Sequence, residues 1–430
     1  MDINFIYSVF KNFPKISTDT RNIEKNSIFF ALKGENFNGN AFAQKALENG
    51  AAYAVIDEKE YYKNEHYILV DNVLDCLQQL AAFHRDSLNI PIIGITGTNG
   101  KTTTKELINA VLSTRYKTLA TKGNLNNHIG VPLTILSISD DYQMAVIEMG
   151  ANHIGEIGEL CKISKPDFGI ITNIGKAHLE GFGGIEGVIK TKNDLYLFVK
   201  QHNGKLFVNS DNKLLMELSA NLDRICYGVN IENFCFAKIL KSTGLLNLEF
   251  GFNNQYIGEI QTNLVGDYNF ENVLAAITIG LYFKIEPEKI KIALENYVPG
   301  NNRSQILKKE NNTIVLDAYN ANPSSMDASI RNFANIIADN KVLIIGDMLE
   351  LGKYAHKEHQ NVIELIENMN FKKVILVGDF FGNVCKNSSF LCFPNSLMAK
   401  DWILQNPIIN STVLIKGSRG IKMEFVLDVL

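Results

Sequence analysis

The stretch GITGTNGKTTTKE, Gly94 to Glu106, carries three glycines, two lysines and a run of threonines between an apolar run and a helix-like pattern. These residue types suit phosphate. Gly97 and Gly100 would let the backbone approach an anion and aim N–H groups at it, Lys101 would reach terminal phosphates, and the Thr102 hydroxyl could ligate Mg²⁺. The common pattern G-x-x-x-x-G-K-[ST] is not met, because the position five before Gly100 is Ile95 and the glycines fall at Gly94, Gly97 and Gly100. A glycine-rich turn that only joins strand to helix is the plainer alternative, but it gives no reason for Lys101 and Thr102 to follow. Thr96, Gly97, Thr98, Asn99, Gly100, Lys101, Thr102 and Thr103 are therefore candidates for contact with a nucleotide.

Three further residues lie behind the loop. In VIEMGANH, Glu148 ends an apolar run, where a buried carboxylate is costly unless it meets a cation such as Mg²⁺. In ITNIGKAHLEGFG, His178 lies just past another strand end, within reach of a second metal or a phosphate; a hydrogen-bonded loop histidine is the alternative. EGVIKTKNDLY puts Lys190 and Lys192 on a short helix near the same edge, with a solvated basic face as the alternative. Their order behind a phosphate loop gives these residues a weight that none has alone.

The elements that must position them point to an α/β chain of three domains. Residues 1–85 read as a small α/β domain, with SIFFAL and AAYAVID as short buried strands around the helix-like AFAQKALENGA. Residues 86–300 read as a central domain with a mostly parallel sheet: IPIIGIT feeds the loop, TTKELINAVLSTR follows as a helix, and MAVIEMG and FGIITNIG end in polar turns that could converge on it. After the connector LENYVPGNNRSQ, residues 301–430 read as a Rossmann-like domain with strands in NTIVLDAY, NKVLIIGDM, KKVILVGDF and STVLIKGS.

Composition bounds the partners. The 430 residues are 46% hydrophobic, and 42 Lys plus Arg against 46 Asp plus Glu leave a formal charge of −4, which gives no broad attraction to nucleic acid or anionic membrane. Six cysteines without a C-x-x-C pair suit reduced thiols and a cytoplasmic location. No apolar run approaches the ~18 residues of a membrane span.

TGTNGKTTT, EMGANHIGEI, TNIGKAHLEGFG and GDYNFENVLAA resemble, in order and spacing, the motifs of the Mur ligases, ATP-dependent amide-forming enzymes of peptidoglycan synthesis. The resemblance covers essentially the whole chain. TKGNLNNHIGVPLTIL, DAYNANPSSM, GDMLELG and LIKGSRG are similar to the branch that adds D-alanyl-D-alanine to UDP-N-acetylmuramoyl-tripeptide, and STDTRNIEKNSIFFALKGENFNGNAF fits the family's UDP-sugar-binding domain.

The resemblance implies a monomeric ligase that phosphorylates the tripeptide carboxylate with ATP and lets the dipeptide amine attack the acyl phosphate. Thr102 and Glu148 would hold one of two Mg²⁺ ions and His178 the second, assisted by a carbamylated lysine, for which Lys192 matches better than Lys190. Asn272 in GDYNFENVLAA would meet adenine, while Asn269 beside it reads as a helix cap. Arg303 would reach ATP phosphate and Asp317 the ribose or phosphate side, which requires the third domain to close over the second. Ser17, Asp19 and Arg21 are candidates for the uridine and pyrophosphate end, although STDTR could be a capped turn. Asn126 and Asn127 would lie where the peptide carboxylate arrives, and Asn320, Asn322, Ser325, Lys416 and Arg419 would hold D-alanyl-D-alanine. His356 and His359 read as surface or structural residues.

Two rivals stand beside this. Folylpolyglutamate synthases usually carry glycine where this chain has Thr102, and DAYNANP is foreign to them. A phosphate-loop GTPase would carry an N-K-x-D signature, which the sequence lacks.

Overall fold

Apolar runs too short for helices and flanked by glycine or polar turns become strands of three separate sheets, one in each third of the chain. The computed structural model describes residues 2–240, 244–300, 303–385 and 389–430. The connector residues Asn301 and Asn302 therefore lie outside the described residues.

The first sheet is parallel and four-stranded, in the order Lys15–Ser17, Ser27–Phe30, Tyr53–Ile56, Tyr67–Leu69. The helices Ile3–Asn12 and Val73–Ser87 cover one face through Ile6, Phe10, Leu77 and Leu80, all buried.

The central sheet has nine strands. At its heart Ile92–Thr96, buried at every residue, pairs in parallel with Met144–Glu148 on one side and Phe168–Ile171 on the other. A strand buried on both faces reads as a continuous apolar run, which is why IPIIGIT was legible. Beyond Phe168–Ile171 the sheet adds Lys205–Asn209, Arg224–Gly228 and Cys235–Leu240 in parallel, then an antiparallel hairpin of Leu245–Phe252 and Gln255–Val265. The hairpin turns at Asn253 and Asn254, both at positive φ (50° and 62°), the conformation that a tight two-residue turn needs. Under the sheet lies the helix Phe270–Tyr282, apolar on nearly every side and buried accordingly. It packs on the helix Lys101–Leu112 so closely that a β-carbon on Gly280 would come within 2.5 Å of Val111 Cγ1.

The third sheet runs Gln305–Lys309, Asn312–Asp317, Thr412–Lys416, Lys341–Gly346, Lys373–Val377, Leu391–Phe393, parallel except for its first strand. Lys190 and Lys192 lie on a helix of 17 residues, Ile185–Gln201, and not on a short one. Its length comes from a buried stripe, Val188, Leu195, Tyr196 and Val199, that continues past the two lysines. Among the described residues no helix is long and apolar enough to cross a membrane.

Candidate active site

The C-terminal ends of three neighbouring central strands deliver Thr96 into the glycine loop, Glu148 beside it, and Thr172 and Asn173 behind it. The loop is built for close approach. Gly97 (φ 150°) leaves no room for a side chain, since a β-carbon there would meet Thr172 Oγ1 at 1.9 Å, and Gly100 (φ 78°) faces Asn272 Oδ1 at 2.5 Å in the same test. Thr172 Oγ1 donates to Asn99 O (2.6 Å) and Asn99 N–H donates to Asn173 Oδ1 (2.9 Å), which fixes the loop from behind. Gly100 caps the helix Lys101–Leu112 without a side-chain acceptor, so the first-turn N–H groups stay available for an anion.

Lys101 folds back to donate to Gly97 O (2.8 Å) and Thr98 O (3.1 Å). Burial pushes its ammonium down, with Glu148 opposing and Arg303 reinforcing the shift. Thr102 Oγ1 donates to Glu148 Oε1 (3.2 Å), which also accepts from Asn126 Nδ2 (2.7 Å). Glu148 Oε2 is buried with no hydrogen-bond partner, 3.8 Å from Lys105 Nζ. An unsatisfied carboxylate oxygen beside a threonine hydroxyl fits a hard divalent cation. Among the described residues no three His, Cys, Asp or Glu side chains cluster as a metal site, so such an ion would complete its shell with water and phosphate oxygens, as Mg²⁺ does.

Sequence reasoning missed Lys105. Fully buried, it donates to Thr121 O (2.5 Å) and pairs with Glu106 (2.8 Å) as well as Glu148. Lys192 is also buried, with no carboxylate paired to it among the described residues; burial and the nearby Lys101 hold its ammonium well below the usual lysine range. Lys190 is exposed.

Across a cleft of about 1200 Å³ stands the third sheet, and three of its adjacent strands bring a residue of their C-terminal ends or following loops to its lining. DAYNANPSSM follows Asn312–Asp317, KGSRG follows Thr412–Lys416, and GDMLELG follows Lys341–Gly346. Asp317 and Lys416, partners in register, form an ion pair at 2.6 Å. Arg303 lies over the Tyr319 ring, 3.6 Å from its centroid, and Arg419 approaches the same ring at 5.6 Å. Asn322 Nδ2 donates to Asn99 Oδ1 (2.8 Å) while its Oδ1 caps the helix Pro323–Asn335 by accepting from Ser325 N–H. Lys176 ties the central domain to Glu358 (2.7 Å) and Ser324 (3.1 Å), and His178 meets Glu350 in ion-pair contact.

Residues 95–280 match the family model of the Mur ligase middle domain, residues 302–387 that of the Mur ligase glutamate ligase domain, and residues 13–85 that of the Mur ligase family catalytic domain. The chain is 34% identical over 426 residues to the UDP-N-acetylmuramoyl-tripeptide–D-alanyl-D-alanine ligase of Bacillus subtilis (strain 168), covering 96% of this chain and 92% of that one. The chain belongs to the Mur ligase family. Among solved structures, MurF from Acinetobacter baumannii superposes with a TM-score of 0.87 at 30% identity, covering 96% of this Mur ligase and 92% of that chain. MurF from Thermotoga maritima in complex with ADP superposes with a TM-score of 0.86 at 25% identity, covering 96% of each chain.

Not every candidate of this Mur ligase reaches the cleft. Thr98, Asn99, Gly100, Lys101, Thr102, Thr103, Glu148, His178, Asn272, Arg303, Asp317, Asn320, Asn322, Ser325 and Lys416 line it. Thr96, Gly97 and Lys192 do not: Thr96 is fully buried, with its hydroxyl on Met149 O (2.8 Å), and Lys192 is buried on its helix outside the lining. Asn126 lines it and holds Glu148, whereas Asn127, at the rim, spends its Oδ1 on Ile129 and Gly130 N–H groups at the start of a helix. Ser17, Asp19 and Arg21 lie away from the cleft as a capped turn, in which Asp19 accepts from Arg21 N–H and pairs with its guanidinium. Arg419 is exposed outside the lining, and Lys416 is neutralised by Asp317, so neither stands as a free cation in the cleft. Asn269 stands at the N-cap of its helix, but its side chain accepts from Asn272 Nδ2 (2.9 Å) and makes no cap bond. His359 is structural: fully buried, it accepts from Met348 N–H and bonds Ala355 O.

Proposed function

We propose that this enzyme joins D-alanyl-D-alanine to UDP-N-acetylmuramoyl-tripeptide at the expense of ATP, through an acyl phosphate. The observation that supports this most is a cleft in which a phosphate loop faces the C-terminal ends of three adjacent strands of a second sheet, each leading into a motif of the D-alanyl-D-alanine-adding branch. Membership of the family and likeness to an ADP-bound relative support ATP as the phosphoryl donor.

In this proposal residues 1–85 hold the UDP-sugar end, 86–300 hold ATP, and 301–430 close over it and bring the dipeptide. A carboxylate is a poor acylating agent, and its phosphate anhydride a good one. Bringing the tripeptide carboxylate to a triphosphate sets anions against each other. Lys101 and the first-turn N–H groups offset that repulsion at the phosphates, and Arg303 approaches from the closing domain. Two Mg²⁺ ions, the first on Thr102 and Glu148 and the second near His178, would neutralise charge developing on the transferred phosphoryl group. Lys192, a buried amine whose burial disfavours the ammonium, suits addition of CO₂, and the resulting carbamate would serve the second ion. Asn272 meets adenine and Asp317 the ribose side. The enzyme works as a cytoplasmic monomer.

The test is ADP release by the purified protein with ATP and Mg²⁺, omitting each substrate in turn. Release that requires both the UDP-tripeptide and D-alanyl-D-alanine, and that Lys101→Ala abolishes without unfolding the chain, supports the proposal. Turnover indifferent to the two substrates contradicts it.

A further inference from the structure

The loop after Lys341–Gly346 presents a carboxylate that this mechanism leaves without a task. Glu350 sits at φ 62°, the left-handed region that a β-carbon makes costly, yet its surroundings fix it there. Leu349 N–H donates to Ser418 Oγ (3.0 Å), Ser418 N–H donates to Asp347 O (3.1 Å), and the Asp347 carboxylate accepts from Phe380 and Phe381 N–H (2.9 Å each). The Glu350 carboxylate is aimed across the domain boundary into the cleft, against His178, whose Nδ1 has no other partner among the described residues. It remains 61% exposed and so open to a ligand.

Charge narrows what that ligand is. The third domain contributes two carboxylates to the cleft lining, Asp317 and Glu350. Asp317 is taken by Lys416, while Glu350 meets no lysine or arginine among the described residues. An amino terminus arrives largely as an ammonium at neutral pH. It enters a cleft whose Lys101 and Arg303 repel it, and needs an anion on its side of the acyl centre. We infer that Glu350 receives the cationic amino terminus of the incoming dipeptide and holds it beside His178. The inference rests on the ligase reading and adds the residue that recognises the nucleophile.

The experiment compares two nucleophiles on the full-length enzyme with ATP and UDP-N-acetylmuramoyl-tripeptide. D-Alanyl-D-alanine is an ammonium; hydroxylamine is uncharged at neutral pH. In both reactions a neutral nitrogen bonds the acyl carbon, the carbon–oxygen bond to phosphate breaks, and the leaving phosphate takes up the proton that this nitrogen loses; the dipeptide's ammonium first gives one further proton to solvent. Glu350→Gln is expected to lower the ratio of amide to hydroxamate formed by about 10- to 100-fold, the loss of one charge-assisted contact, with KM for the dipeptide raised and part of the ratio restored in Glu350→Asp. A ratio unchanged in Glu350→Gln, whether both rates fall or neither does, overturns the inference. Absence of hydroxamate with the unaltered enzyme overturns the ligase reading itself, a distinct result.

Discussion

Asn322 Nδ2 donates to Asn99 Oδ1 at 2.8 Å, so one side chain of the third domain touches the phosphate loop directly. The same side chain caps its own helix through Oδ1, with Ser325 completing the reciprocal bond. The two tasks lie on different atoms and can be separated. Asn322→Asp keeps the cap acceptor but removes the donor and sets a negative charge beside the phosphate site. Its kcat/KM for ATP should fall about 10-fold or more, the scale of one good contact, with Tm nearly unchanged. Asn322→Ala should lose the cap as well, about 1 kcal/mol, and melt a few degrees lower. Equal losses of Tm in the two variants would contradict this division of labour.

Lys105 and Glu148 form a second separable pair, both almost wholly buried. Removing one partner strands the other in low dielectric, so Lys105→Met should destabilise the protein by about 3 kcal/mol in denaturant unfolding. Glu148→Gln in the same chain should recover part of that loss, with a coupling of about 1 kcal/mol or more. Strict additivity would mean that Lys105 serves Thr121 and Glu106 alone.

Lys192 should prove costly to the fold. Its ammonium is held well below the usual lysine range, so between that lowered pKa and the ordinary lysine value the unfolded chain binds more protons than the folded one. Stability from this residue therefore rises with pH, and its cost grows as pH falls through that window. Lys192→Met should raise Tm, by more at pH 6.5 than at pH 9, while abolishing ligation. Lys192→Ala should regain part of the activity with added short carboxylic acids, and Lys190→Ala should stay near the unaltered rate. A lower Tm for Lys192→Met, or greater damage from Lys190→Ala, would contradict the assignment.

What was legible in the sequence was what local sequence encodes. IPIIGITGTNGKTTT specifies strand, turn and helix within a few residues, and the structure forms all three. Which of Lys190 and Lys192 is buried was also within reach. Lys192 falls four after Val188 and three before Leu195 on one helix face, and Lys190 falls outside that stripe. The hairpin at Asn253-Asn254 carried its own signal, two asparagines between alternating apolar runs. Lys105 carried none: in KTTTKE it reads as a surface lysine, and the Thr121 carbonyl and Glu148 carboxylate that receive it come from other strands. Glu350 was quoted within GDMLELG, but its place against His178 depends on how two domains meet, which no local pattern records.

The central claim is that the loop's ATP activates a carboxylate which the third domain's amine then captures. It is tested most directly by following oxygen. With ¹⁸O in the terminal carboxylate of UDP-N-acetylmuramoyl-tripeptide, ATP and D-alanyl-D-alanine, mass spectrometry of the released phosphate should find one labelled oxygen for each amide formed. Amide formation accompanied by unlabelled phosphate would contradict the acyl-phosphate account.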